Sequence, residues 1–143
     1  MEKRFINRPR NLRQLLLQRS DWFEEQMLKA APRFGYHFVT PAMLRLFAHM
    51  SSTKQVGISE LARRLAVSRQ AVHQTVAVAC RRGVVKLVPD PLDARVRNVC
   101  FTDKGIQMVR SAAHAVRNIE TQLERRLGSR DVEALRRILS REW

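Results

Sequence analysis

The sequence contains few cysteines, glycines, prolines and aromatic residues, and it has no long hydrophobic run. Its 143 residues include two Cys, five Gly and five Pro, and 6% are aromatic. Two Cys cannot build a disulfide framework, and their spacing matches no zinc motif, so a reducing cytoplasm is the expected compartment. Scarce Gly and Pro argue against a turn-rich all-β fold. No stretch resembles a signal peptide or approaches the roughly 18 apolar residues of a membrane-spanning helix.

Acidic residues are also scarce compared with basic ones. The chain has 13 acidic and 27 basic residues, a net charge of +14. Residues 54–97 carry nine Lys or Arg against three acids, and residues 1–20 carry six against one. Such a local excess indicates a polyanionic partner, whereas an even basic coat would serve solubility. The N-terminal arm suits either a solubilising tail or contacts to phosphates that flank a binding site. Its basic residues are Lys3, Arg4, Arg8, Arg10 and Arg13.

The motifs of common enzymes are missing. The sequence contains no nucleophile elbow, no P-loop and no zinc-protease motif. The four His residues are scattered, without the spacing of metal ligands. We therefore expect a protein that is not an enzyme and that needs no metal or other cofactor.

Apolar residues at steps of three and four predict a mainly helical chain. The predicted helices cover residues 11–31, 41–50, 60–66, 69–82, 103–127 and 130–140. Small polar side chains precede most of them and are expected to cap their first turns. The expected caps are Thr40, Ser59, Ser68, Thr102 and Ser129.

Residues 57–105 form the unit on which the rest of the chain is arranged. Two helical patterns are followed by two β-branched runs, 84–88 and 96–101, which flank a charged segment with two prolines. This order is typical of a winged helix-turn-helix, a unit that binds duplex DNA.

The second helix of this unit is the candidate recognition helix. Its predicted outer face carries hydrogen-bonding side chains, has Arg near both ends and has no acid. Gln pairs well with adenine edges, Arg pairs with guanine edges or phosphates, and a small residue lets a helix approach the major groove. The outer face consists of Gln70, His73, Gln74, Ala77 and Arg81.

The stretch resembles the MarR family of transcriptional regulators. The resemblance rests on ISELARRLAVSRQAVHQTV for the two helices, DPLDAR for the wing tip and FTDKG for the start of the next helix. The family pattern D-P-x-D-x-R followed by L-T-x-x-G is present with Phe101 in place of Leu. The resemblance implies a mainly α fold with a small β-wing. It also implies one MarR-type domain over residues 1–143, with a DNA-binding lobe at 39–103 and a helical dimerisation lobe at 10–35 and 104–143.

The family further implies an obligate homodimer that reads a pseudo-palindromic site in double-stranded DNA. The recognition helix would enter the major groove, and Arg95, held by Asp93, would enter the minor groove. The rival interpretation of Asp93 and Arg95 is an ordinary surface pair in a turn. The expected DNA-binding residues are Ser68, Arg69, Gln70, His73, Gln74, Arg81, Asp93, Arg95 and Arg97.

Some relatives bind small aromatic acids between the dimer helices and the winged unit. An equivalent cleft in this chain would hold a small aromatic or carboxylate effector. Its candidate lining is Arg19, Trp22, Phe23, Met27, Met43 and Phe47, with Arg19 or Arg45 to meet a carboxylate. The alternative is that these apolar residues are ordinary core. Other relatives sense oxidants through Cys near the N-terminal helix, but this chain has only Cys80 and Cys100.

The sequence thus predicts a homodimeric, sequence-specific transcriptional regulator, a repressor that acts by promoter occupancy and is relieved by a small aromatic ligand. The alternative is a nonspecific architectural DNA-binding protein, which the net charge also suits. A third candidate is a protein–protein interaction module, although the acid-free outer face of the recognition helix argues against it.

Overall fold

A computed structural model describes residues 11–143, and the basic residues Lys3, Arg4, Arg8 and Arg10 of the N-terminal arm lie outside this range. The described chain forms six α-helices and one three-stranded antiparallel sheet. The helices are α1 (Leu12–Ala30), α2 (Pro41–Ala48), α3 (Ile58–Leu65), α4 (Arg69–Arg81), α5 (Asp103–Leu127) and α6 (Ser129–Leu139). The strands are β1 (Val56–Gly57), β2 (Val85–Pro89) and β3 (Arg97–Phe101). A mainly α fold with a small β-wing is therefore confirmed.

Both ends of the first helix lie within one residue of the predicted bounds. The Asn11 Oδ1 accepts a hydrogen bond from the Gln14 N–H at 2.9 Å, which caps α1. After Ala30 the chain tightens into a 3₁₀ turn, Ala31–Phe34, and Gly35 stops it with φ of 88°. This left-handed conformation favours glycine because a side chain would crowd the following carbonyl.

The core lies in the winged lobe, between α2, α3, α4, the sheet and the start of α5. The Thr40 hydroxyl caps α2 by accepting the Met43 N–H at 3.2 Å, as predicted. Fully buried aliphatic side chains fill the centre, because few aromatic residues are available. The largest of them are Met43, Leu46, Leu61, Val72, Val76, Val84 and Val99.

The sheet has the order β1-β3-β2. Strand β3 pairs with β2 from Val85 opposite Phe101 to Pro89 opposite Arg97, which forms the predicted hairpin. Strand β1 pairs with the other edge of β3 and was not predicted. Its two residues are too short to show the alternation by which a strand is recognised in sequence. Pairing with an already formed edge supplies its hydrogen bonds.

Two of the predicted caps are wrong. Helix α3 begins at Ile58, with Gly57 at the N-cap and no side-chain cap bond within the described chain, so Ser59 lies inside the helix. The helix starts early because the chain passes directly from β1 into it and buries Ile58. Helix α6 begins at Ser129 itself. Its N-cap is Gly128, whose φ of 88° and ψ of 143° only glycine adopts readily.

The long helix α5 leaves the sheet at Thr102, whose hydroxyl accepts the Gly105 N–H at 3.1 Å and donates to the Gly83 carbonyl. Helix α6 then folds back along α5, and Arg136 pairs with Glu120 across the two helices at 3.3 Å. Over residues 11–143, no helix combines the length and the apolar character that crossing a membrane requires.

Candidate nucleic-acid interface

The turn between α3 and α4 sets the start of the candidate recognition helix. Ala66 closes α3 in the left-handed region with φ of 53°, which turns the chain sharply. The Ser68 hydroxyl then accepts the Ala71 N–H at 3.0 Å, which confirms the predicted cap. This bond places Arg69 and Gln70 in the first, exposed turn of α4.

Helix α4 divides cleanly into a buried and an exposed face. Val72, Val76 and Ala79 are buried in the core, as their spacing predicts. The polar residues selected from the sequence are all exposed, and small Ala77 is exposed between them. They are Gln70, His73, Gln74 and Arg81, with Ser68 and Arg69 at the start. The face has basic ends and no carboxylate, so an approaching phosphate meets no repulsion on α4 itself.

The one carboxylate of α3, that of Glu60, is paired with two arginines of the same helix. Glu60 accepts from Arg63 at 2.9 and 2.6 Å and from Arg64 at 2.7 Å. These hydrogen bonds, that from Arg63 foremost, lower the pKa of Glu60 to about 2. Arg64 also donates to the His49 carbonyl at 3.0 Å, which ties α3 to the end of α2. Both arginines are therefore structural partners of Glu60 in this structure.

The tip of the wing, residues 90–96, is a hydrogen-bonded turn. The Asp90 Oδ1 accepts the N–H groups of Leu92 at 2.8 Å and Asp93 at 3.1 Å. The backbone closes the turn through Asp90 N–H to Val96 O at 2.8 Å. The Asn98 amide donates to the other Asp90 oxygen at 2.8 Å. These bonds, led by that from Asn98, hold the pKa of Asp90 below its usual value.

Asp93 and Arg95 lie together on this turn, but their contact differs from the expected one. The Asp93 Oδ1 accepts the backbone N–H of Arg95 at 3.1 Å. No ion pair joins the Asp93 carboxylate to the Arg95 guanidinium among the residues that the structure describes. Asp93 thus fixes the backbone of Arg95 and leaves its exposed side chain to reach outward. Arg97 is exposed at the base of the wing, opposite Pro89.

Three residues that hold the wing were not predicted from the sequence. They are Asp90, Asn98 and Gln55, whose side-chain oxygen accepts from Asn98 at 3.0 Å. The signal for Asp90 was present, because Asp before Pro favours a turn in which the carboxylate bonds to the backbone two residues on. No local signal identifies Asn98 or Gln55, since they are 43 residues apart in sequence.

Arg82, which follows α4, is oriented by the protein itself. Its guanidinium lies 5.3 Å from the centre of the Phe38 ring, a cation–π contact. Its carbonyl accepts from the Lys104 ammonium at 2.9 Å. The ring contact holds the end of α4 against the linker after α1, and it competes with any contact of the Arg82 guanidinium with a phosphate.

A cavity of about 320 Å³ lies between the end of α1, α2 and α5. Of the predicted cleft residues, Met27 and Phe47 line it, whereas Arg19, Trp22, Phe23 and Met43 do not. Met43 is core at 1% exposure, and Trp22 packs edge-on against Phe23. The rest of the lining is Ala31, Phe34, Tyr36, Val39, Leu44, Ala48, Met108, Val109, Ser111, Ala112, Ala115 and Val116.

None of the described lining residues of this cavity carries a charge. Arg45, the predicted alternative partner for a carboxylate, instead holds Glu24 through two hydrogen bonds of 2.9 and 3.0 Å. The Glu24 contact raises the pKa of Arg45. The cavity therefore offers apolar contact and no cation.

The two Cys residues are free thiols. Burial raises the pKa of Cys80, which disfavours the thiolate that reacts with oxidants. This side chain accordingly behaves as a small hydrophobic residue on the inner part of α4.

The helix pair, the exposed basic face of α4 and the ordered β-hairpin define a winged helix-turn-helix protein. In a comparison with protein families, the family described as the MarR family matches residues 39–96, from the linker before α2 to the tip of the wing. The match agrees with the resemblance to the MarR family that the sequence motifs indicated for this stretch. A search of the curated proteins finds no significant match.

Solved structures of similar fold extend the likeness to nearly the whole chain. The reduced form of MarR from E. coli is 19% identical with a TM-score of 0.79, and the match covers 93% of this chain and 96% of that chain. The transcriptional regulator PA4135 is 22% identical with a TM-score of 0.73, covering 92% and 94%. A cysteine mutant of MarR from E. coli, complexed with operator DNA, is 19% identical with a TM-score of 0.69, covering 90% of each chain. These TM-scores show that the chain shares its fold with these structures.

Proposed function

We propose that the protein is a homodimeric, sequence-specific transcriptional regulator that binds double-stranded DNA and represses by occupying a promoter. The observation that carries the proposal is the acid-free exposed face of α4, with Arg at both ends, next to a wing whose tip is ordered by its own hydrogen bonds. A structural relative with the same fold was solved with operator DNA, which supports the assignment by analogy.

The residues divide into three tasks under this proposal. Gln70, His73 and Gln74 read base edges in the major groove, because amide and imidazole groups can both donate and accept. Ser68, Arg69 and Arg81 hold phosphates at the two ends of the helix. Arg95 enters the minor groove, with Asp93 fixing its backbone and Arg97 near the flanking phosphate.

The exposed apolar side chains of the flanking helices support the proposed homodimer. No residue of α1 is fully buried by the rest of the described chain, residues 11–143, and Leu12 is 72% exposed. Helix α6 also exposes about half of Leu135, Ile138 and Leu139. A second copy would bury both sets, because a two-fold interface presents the same surfaces twice. Residues 39–103 then form the DNA-binding lobe, and residues 10–35 and 104–143 form the dimerisation lobe.

Arg95 provides the direct test. Replacing Arg95 with Ala should weaken binding to a selected genomic fragment by about 10- to 100-fold, because one minor-groove guanidinium contact is worth about 1–3 kcal/mol. The charge-matched control is Arg130→Ala on α6, which should bind within about twofold of the parent at the same salt concentration. Equal losses in both variants would show that only net charge matters and would refute the wing assignment.

Footprinting separates sequence-specific regulation from the architectural alternative. Protection of one discrete pseudo-palindrome, with half-sites about 10 base pairs apart, is expected for two recognition helices related by a two-fold axis. Uniform coating of all fragments would instead establish the architectural protein that the net charge of +14 also suits.

We further propose that a small apolar ligand occupies the cavity and relieves repression. The lining offers Met, aliphatic and aromatic surface and no cation, so it suits a neutral aromatic ring better than the carboxylate first expected. Binding of neutral aromatic probes should raise the melting temperature more than binding of their carboxylate analogues. Ala112→Trp, which fills the cavity, should abolish that shift while leaving operator affinity within a few-fold.

A further inference from the structure

The wing is joined to the body of the protein by a chain of side chains centred on Asn98. Asn98 is 6% exposed and is the one buried polar side chain of the described residues 11–143. Its Nδ2 donates to Gln55 Oε1 at 3.0 Å and to Asp90 Oδ2 at 2.8 Å. The amide therefore bonds one acceptor in the segment before β1 and one at the start of the wing turn.

Asp90 continues this chain into the tip. One carboxylate oxygen receives Asn98, and the other receives the N–H groups of Leu92 and Asp93. Asp93 in turn accepts the N–H of Arg95. Hydrogen bonds therefore connect Gln55 to Asn98, Asn98 to Asp90 and Asp90 to Asp93. Asp93 then bonds to the backbone of Arg95.

A polar side chain at position 98 is not needed to form the strand. Its neighbour Val99 is fully buried in β3, and a β-branched apolar residue would suit a buried strand position equally well. Burying an amide costs free energy unless its hydrogen bonds are made, so Asn98 adds little to the stability of the fold. Its two bonds instead fix the orientation of the hairpin and the conformation of its tip.

We propose that Asn98 and Asp90 are positioning residues that hold the wing in one preformed orientation for binding of Arg95 in the minor groove. The inference rests on the proposed function, since it assumes that Arg95 contacts DNA. A wing that is ordered before binding loses less conformational entropy on association, so the network increases affinity without touching DNA.

Exchanging the two residues tests the proposal. Asp90→Ala removes the acceptor of Asn98 and of two backbone N–H groups, and Asn98→Asp alone places two carboxylates face to face. Each single variant should bind operator DNA about tenfold more weakly. In the double variant Asp90→Asn with Asn98→Asp, the amide at position 90 would donate to the carboxylate at position 98 with the same net charge as the parent, and Gln55 can turn its amide to donate. The double variant should bind within about twofold of the parent.

The dependence on Arg95 separates positioning from general structural damage. In an Arg95→Ala background, Asp90→Ala and Asn98→Asp should have little further effect on affinity, because the group that they position is gone. Gln55→Ala offers a milder variant at an exposed residue, and about threefold weaker binding is expected from the loss of one bond to Asn98. Circular dichroism establishes that each variant retains the fold.

Amide hydrogen exchange gives a readout that needs no DNA. The N–H groups of Leu92 and Asp93 should exchange faster in each single variant and recover in the double variant. Affinity losses that persist with Arg95→Ala, or a double variant that stays weak, would overturn the proposal. If the parent protein binds no duplex at all, the proposed function fails, and the exchange rates still decide whether the network orders the tip.

Discussion

The packing of α5 against the backbone of Val84 requires that residue 105 has no side chain. Gly105 is buried in the first turn of α5, and an added Cβ would collide with the Val84 carbonyl oxygen. The colliding atom belongs to backbone that also pairs with Thr102, whose N–H donates to the same carbonyl at 3.1 Å. The neighbour therefore cannot move without breaking the junction of wing and helix.

We predict that Gly105→Ala destabilises the protein by about 3 kcal/mol or more, because backbone atoms have to shift in a close-packed core. Gly35→Ala is the matched control: it has open space around its Cβ and carries only the cost of a positive φ, about 1 kcal/mol. Chemical denaturation of both variants measures the difference. Equal losses would mean that the junction relaxes around an added methyl group.

The lowered pKa of Glu60 is an electrostatic effect that can be tested directly. Hydrogen bonds from Arg63 and Arg64 lower its pKa to about 2. A lowered folded-state pKa means that the ion pair contributes its full stability above the unfolded-state value and loses it as the pH falls through about 2. Because the group is exposed, salt should weaken the effect.

We therefore predict that the Glu60 carboxyl carbon titrates in NMR spectra with a midpoint near 2, well below the ordinary value of 4.5. In Arg63→Gln the midpoint should move toward the ordinary value, since the first of the two donors is lost. Lys29→Gln, far along the chain from this cluster, should leave it unchanged. A midpoint near 4.5 in the parent would contradict the paired geometry.

At the scale of elements, the junction between wing and α5 depends on Thr102. Its hydroxyl caps α5 through Gly105 and reaches back to the Gly83 carbonyl after α4. One side chain thus connects the recognition helix, the end of β3 and the start of the long helix. The cap itself was predicted from sequence, but the second contact was not, because Gly83 is 19 residues away.

We predict that Thr102→Ala lowers the free energy of unfolding by about 1–2 kcal/mol, the usual cost of a lost N-cap. Thr102→Ser keeps the hydroxyl and should cost less than about 0.5 kcal/mol, because a serine caps as well as a threonine. Thermal unfolding of the two variants provides the comparison. If serine fails to rescue, the methyl group rather than the hydroxyl supports the junction.

The predicted elements were most accurate where a local signal defines both ends. Helix α4 was found within one residue because Ser68 marks its start and Gly83 follows its end. Strand β2 is shifted by one residue, and β3 begins one residue later than predicted and ends where predicted, since pairing and not composition decides where the ladder begins. Strand β1 and the caps of α3 and α6 depend on neighbours distant in sequence or on backbone conformation, which periodicity does not report.

At the scale of the whole molecule, α1 and α6 expose apolar side chains that the rest of the described chain does not cover. Leu12, Leu15, Leu16 and Leu17 on α1 are all more than a third exposed. Helix α6 adds Leu135, Ile138 and Leu139, each about half exposed. Large exposed apolar patches usually mark an interaction surface. The proposed homodimer accounts for this surface.

We predict that Leu135→Glu with Leu139→Glu converts the dimer to monomers, because two carboxylates would have to be buried at the interface. Sedimentation velocity at micromolar concentration measures this, and operator affinity should fall by more than about 100-fold because two half-sites are no longer read together. Leu92→Glu on the wing tip, where the parent leucine is 97% exposed, should remain dimeric. A dimer that persists in the double variant would place the interface elsewhere.

The sequence by itself determined the helices, the wing and the exposed basic face of α4, because each follows from local periodicity, capping and charge. The resemblance to the MarR family rested on local motifs as well, and the family model matches residues 39–96, which include DPLDAR. Only the tertiary structure decided how the wing is held. Asn98, Asp90 and Gln55 meet across long separations in sequence, and Asp93 bonds to backbone where a guanidinium partner was expected. The same holds beside the cavity, where no described lining residue is charged: Arg45 on α2 bonds instead to Glu24 on α1, a pairing that only folding brings about.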